Sequence, residues 1–78
     1  MSPLAQEIKQ AILSILPDAQ VQVLDPDGEH FQAMVISKTF IGMPLVKQHQ
    51  LVMNSLKEHF KEKVHALSLK TSIPKETL

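Results

Sequence analysis

Over the first sixteen residues apolar side chains return at Leu4, Ile8, Ala11, Ile12 and Ile15, the three-and-four spacing that lines one side of an α-helix. Ser2 offers a capping hydroxyl, Pro3 suits the first helical position, and Glu7 complements the positive end of the helix dipole. Pro17 stops the run, since it lacks an N–H and its ring clashes with the preceding turn. A helix from Ser2 to Leu16, laid across a sheet to bury its stripe, is the expectation. The period then changes to two. Gln20, Val21, Gln22 and Val23 alternate in a strand expected from Ala19 to Asp25, with the valines on one face. A second strand is expected from His30 to Ser37, with Phe31, Ala33 and Val35 on one face and His30, Gln32, Met34 and Ile36 on the other. Between them, Asp25-Pro26-Asp27-Gly28 has the chemistry of a tight turn: proline presets one backbone angle, the aspartates bond to nearby amides and glycine relaxes the exit. The two strands should form a hairpin.

From Leu45 the helical period returns, with Leu45, His49, Val52, Leu56 and Phe60 on one face of a helix expected to run to about Lys63. The connection before it, Lys38 to Pro44, carries Phe40, Ile41 and Met43 around Gly42, and Phe40 is the residue expected in the core. A last strand is expected to open at His65, with His65, Leu67 and Leu69 on one face and Ala66, Ser68 and Lys70 on the other, up to Thr71. Ser72-Ile73-Pro74-Lys75-Glu76 has the punctuation of a short helical turn. The order αββαβ defines an α/β (α+β) domain. A strand, a helix and a strand in sequence usually make a right-handed crossover between parallel strands. Strands two and three should therefore start at the same end of the sheet, bringing together His30 and His65, which are 35 residues apart in the chain.

Composition narrows what such a domain can do. With 78 residues the chain is expected to form one domain, 1–78, with a single two-layer core. The apolar fraction of 44% and charged fraction of 21% suit a globular protein and suggest neither disorder nor a membrane span. The first residues show no basic region followed by an apolar segment, so a cytoplasmic location is expected. Eight basic residues, all lysine, balance eight acidic ones, so no global charge draws the domain to nucleic acid. Without arginine the commonest bidentate contact to guanine is missing. Without cysteine there is no thiol nucleophile and no thiolate ligand, so sulfur in any iron–sulfur chemistry must come from a partner. Ser14, Ser37, Ser55, Ser68 and Ser72 have no nucleophile-elbow context, and two glycines do not make a phosphate-cradling loop, so an enzyme is the least favoured class.

The histidines carry the remaining chemistry. A calcium loop at the hairpin fails, because counted from Asp25 the glycine is fourth rather than sixth and Ile36 stands where a glutamate is required. Asp25, Asp27 and Glu29 read as solvated turn residues. His49, on an apolar stripe, reads as a core residue with one hydrogen bond, and His59 as solvent-facing. Lys57, Glu58, Lys61 and Glu62 alternate in sign as a solvated helix surface does. His30 and His65 read first as incidental strand-end histidines, since no spacing motif marks them; as a shared site they would supply two neutral imidazoles, part of a coordination shell that outside groups must complete.

Gly-Glu-His-Phe (28 to 31), Val-Ile-Ser with Phe40 and Gly42 following, Leu-Val-Lys-Gln-His-Gln (45 to 50), and Val-His-Ala-Leu-Ser-Leu-Lys-Thr (64 to 71) followed by Pro74 and Glu76 resemble the BolA family of small intracellular proteins. The short first loop is similar to its IbaG (YrbA) branch. The resemblance implies a fold similar to a class II KH domain, with a three-stranded sheet covered by helices on one side. It also implies partnership with a monothiol glutaredoxin, as an apo heterodimer or around a shared [2Fe-2S] cluster whose sulfur comes from the partner's cysteine and from glutathione. His65 matches the family's C-terminal ligand histidine. Many members carry the second ligand in a longer loop between the first two strands; this chain has only the short turn, and His30, at the start of strand two, is the nearest candidate. Family members are also described as DNA-binding transcriptional regulators. The Gly-x-x-Gly clamp of a KH site is reduced here to Gly42, leaving Lys47, Lys61, Lys63 and Lys70 as a possible basic patch.

Overall fold

Pro3–Ile15 forms the first helix, α1, and the computed structural model describes residues 3–27, 29–58, 60 and 67–75. The stripe of α1 that sinks into the core is Ala5, Ile8 and Ile12, continued by Leu16 just past its end, while Leu4 and Ala11 pack on its flank. Ile15, expected on the stripe, is instead 38% exposed. The helix is rotated so that Leu16 takes that place, and the Leu16 N–H still bonds Ile12 O at 2.9 Å.

Three strands follow the predicted alternation: β1, Gln20–Leu24; β2, Phe31–Ile36; and β3, Leu67–Ser72. The sheet order is β1-β2-β3. β1 and β2 form the expected antiparallel hairpin, Gln20 opposite Ile36 and Leu24 opposite Gln32. β2 and β3 are parallel, as the crossover argument requires, with Phe31 opposite Leu67 and Ile36 opposite Ser72. Val23, Phe31, Ala33 and Val35 are buried on one face, with Val21, Leu67 and Leu69 packed beside them. Gln22, Leu24, Gln32, Met34, Ser68 and Lys70 line the other face, which stays open. Val52 and Leu56 of α2, Leu45–Lys57, complete the core with Phe40, so both helices cover the same side of the sheet.

Between β2 and α2 a 3-10 turn, Lys38–Phe40, aims Phe40 inward at 1% exposure. Ser37 starts it: its Oγ accepts the Thr39 N–H at 3.1 Å and donates to the Asp18 carboxylate, 3.0 Å from each oxygen. Asp18 also accepts the Lys38 N–H at 3.0 Å, which holds its carboxyl below the usual carboxylate range. The Ser37 N–H bonds Ser72 O at 3.1 Å, so one buried residue joins the α1–β1 turn, the exit of β2 and the end of β3. Gly42 then turns the chain with φ of 79°, a conformation that favours glycine. Gln48 ties α2 to β3, donating to Met43 O at 2.7 Å and accepting from Thr71 Oγ1 at 2.6 Å.

Several expectations shift. Regular α2 ends at Lys57 rather than near Lys63; the Phe60 N–H still reaches Leu56 O at 2.8 Å, but an apolar period does not fix where the backbone leaves the helix. Leu45 is 59% exposed and His49 half-buried rather than in the core, because the core layer reaches only the second half of α2. β3 runs on to Ser72, and no helical turn follows it among the described residues. The expected start of β3 at His65, the position of His59 and the conformation of Gly28 lie outside the described residues.

Candidate metal centre

His30, the candidate ligand of the second strand, stands one residue ahead of β2. His30 is 71% exposed, and its orientation is set from three residues earlier by Asp27, itself 51% exposed. One carboxylate oxygen of Asp27, Oδ1, accepts the backbone N–H groups of Glu29 at 2.9 Å and His30 at 2.8 Å. This is the aspartate-turn geometry that an Asp-Pro-Asp-Gly sequence favours. The other oxygen, Oδ2, lies 2.7 Å from His30 Nδ1. The backbone N–H of His30, then its ring, then the Glu29 N–H hold the Asp27 carboxyl well below the usual range. In return the hydrogen bond to Asp27, and then the carboxylate's charge, push the His30 imidazole up. Asp27 is thus more than the solvated turn residue its sequence suggested.

Ligand atoms of Asp27, Glu29 and His30 all fall within 4.8 Å of one another. A cation held by these three would have to displace the hydrogen bonds that build the turn, since both Asp27 oxygens and His30 Nδ1 are already engaged. The geometry suits a single imidazole donor better: among the described residues no hydrogen bond reaches His30 Nε2, and the ring is exposed. One neutral nitrogen fits a metal whose other ligands come from elsewhere, which is what a chain without cysteine can offer an iron–sulfur centre.

The register extends this argument. Phe31 and Leu67 are paired neighbours in parallel strands, one residue after His30 and two residues after His65 in the sequence. His65 itself lies outside the described residues, as do Lys61 and Lys63. Lys47 is exposed on α2, and Lys70 is exposed on the open face of the sheet, away from the helices. These two lysines therefore belong to different layers and are not brought together.

Asp27 is the partner of His30 that sequence reasoning missed. Its signal was present as an aspartate three residues before a histidine at a turn, but which partner an exposed carboxylate takes depends on the turn's backbone.

Residues 4–76 match the family described as BolA-like protein. The acid stress protein IbaG of Escherichia coli K12 is 35% identical over 71 residues, covering 90% of this chain and 83% of that protein. A bolA protein homologue from Coxiella burnetii superposes with a TM-score of 0.75 at 39% identity, over 97% of this chain and 95% of that one. BolA1 from Arabidopsis thaliana superposes with a TM-score of 0.81 at 30% identity, over 100% of both chains. With the family match spanning nearly the whole sequence and solved members sharing its fold from end to end, the chain belongs to the BolA-like protein family.

Proposed function

We propose that this chain is a non-catalytic adaptor that docks on a monothiol glutaredoxin and contributes histidine ligands to a shared [2Fe-2S] cluster, His65 first and His30 second. The observation that carries the reading is the parallel pairing of β2 and β3, which registers Phe31 with Leu67 just downstream of the two histidines. Family membership and the absence of cysteine agree with it, since a partner's cysteine and glutathione would supply the sulfur.

The cluster, when bound, supplies one-electron redox chemistry and a labile iron–sulfur unit. This chain's part is to offer neutral imidazole in place of thiolate, which removes negative charge around the iron and raises its potential. The open turn keeps His30 accessible to a docked partner, and the sheet behind it holds the two strand starts in register. A regulatory role follows from a ligand set that depends on the partner, and the naming of the relative IbaG as an acid stress protein is consistent with regulation under stress.

The test is cluster reconstitution with a monothiol glutaredoxin and glutathione, read by visible absorption and circular dichroism. Wild type should change the glutaredoxin cluster spectrum, His65→Ala should abolish that change, and His30→Ala should alter it. A wild-type protein that forms no complex and leaves the spectrum as it was overturns the reading, and a salt-dependent affinity for duplex DNA would then favour the transcriptional alternative.

A further inference from the structure

The hairpin turn does more than connect strands, because it decides which nitrogen of His30 faces outward. We propose that Asp27 is a positioning residue that holds the neutral His30 ring with its proton on Nδ1, so that Nε2 is the nitrogen presented to a metal. The metal half of this proposal rests on the reading of His30 as a cluster ligand; the tautomer half stands on the turn alone.

The carboxylate is itself immobilised. Its Oδ1 is committed to two backbone amides, those of Glu29 and His30, at 2.9 and 2.8 Å, and this leaves Oδ2 facing Nδ1 at 2.7 Å. An ionised carboxylate only accepts hydrogen bonds, so a neutral imidazole against it carries its proton on the near nitrogen and its lone pair on the far one. A histidine without such a partner prefers the opposite tautomer in water, with the proton on Nε2, where ligation through that nitrogen would be blocked. A carboxylate behind a ligating histidine also makes its lone pair more basic and limits ring rotation. The exposure of both side chains makes the pair a weak source of stability, but choosing between two tautomers of similar energy takes little.

The same geometry supplies a discriminating substitution. In Asp27→Asn the amide oxygen can still accept the Glu29 and His30 amides, so the turn is retained. The other atom becomes an NH2 group, a donor, which must meet Nδ1 as a lone pair and therefore drives the proton to Nε2. Aspartate and asparagine are thus close in shape and opposite in the tautomer they impose.

The experiment begins with the apo protein at alkaline pH, where the ring is neutral, using long-range nitrogen-15 correlation spectra of the imidazole. Wild type should show His30 with the proton mainly on Nδ1, and Asp27→Asn should reverse the major tautomer while leaving the amide shifts of Glu29 and His30 close to wild type. A wild-type ring protonated mainly on Nε2, or one whose tautomer Asp27→Asn leaves unchanged, overturns the proposal. The second arm loads wild type, Asp27→Asn and His30→Ala with a [2Fe-2S] cluster alongside a monothiol glutaredoxin and glutathione. Asp27→Asn should reproduce at least half of the circular-dichroism change caused by His30→Ala. If His30→Ala changes the spectrum and Asp27→Asn does not, the positioning role at the metal is overturned. If His30→Ala itself changes nothing while the ring spectra behave as expected, His30 as a ligand fails, and the metal half falls while the tautomer half is supported.

Discussion

Two aspartates in this small domain use the same chemistry for different ends. Asp18 accepts one backbone amide of a turn and Asp27 two, and each bonds one side chain, Ser37 and His30 respectively. Asp18 reaches across 19 residues to a serine with no exposed surface, so its bonds join separate elements. Asp27 reaches three residues to a ring that is 71% exposed, so its bonds shape one turn. A long-range bond to a buried group stabilises the fold, because breaking it strands polar atoms away from water. A local bond at the surface adds little to stability, since water replaces it easily, yet it can fix how a reactive side chain is presented.

The largest expected effect lies on the buried side. Phe40, carried into the core by the turn that Ser37 starts, should cost about 3–5 kcal/mol when replaced by alanine. Against a stability on the order of 5–15 kcal/mol for a domain, this is a severe loss, readable by urea denaturation of Phe40→Ala. A midpoint that hardly moves would show that the Ser37 turn is not a structural anchor. Ser37→Ala removes the hydroxyl that caps the turn and bonds Asp18, and should cost about 1–2 kcal/mol in the same measurement. His30 ring spectra should be unchanged in Ser37→Ala, whereas a change would show that the two aspartate sites are coupled.

The smallest expected effect is on the exposed pair, and it appears in pH dependence rather than in denaturation. His30 is raised above its ordinary value of 6.5, so its contribution to the turn is complete below that value and fades as pH rises through the folded one. Asp27 is lowered from 3.8, so its contribution is present above that value and fades as pH falls through the folded one. The turn should be tightest between the two, where both groups are charged. Proton NMR titration should find His30 above 6.5 in wild type and closer to it in Asp27→Asn; a value that the substitution leaves unmoved would mean the carboxylate is not the ring's partner in solution.

The sequence by itself determined the element order, the hairpin, the inward faces of all three strands and the burial of Phe40, because helix and strand periods are imposed by local backbone geometry. Chain connectivity also made the parallel pairing of β2 and β3 readable, since the crossover rule leaves few alternatives. Tertiary structure alone decided which part of the α2 stripe is covered. Leu45 and Val52 share a helical period, yet one is 59% exposed and the other fully buried, because the core under the helix is of limited extent. It also decided the partners of the two aspartates. Asp18 and Asp27 both look like turn residues in the sequence, and only the folded backbone brings one carboxylate to a buried serine from another element and the other to an imidazole at the head of the central strand.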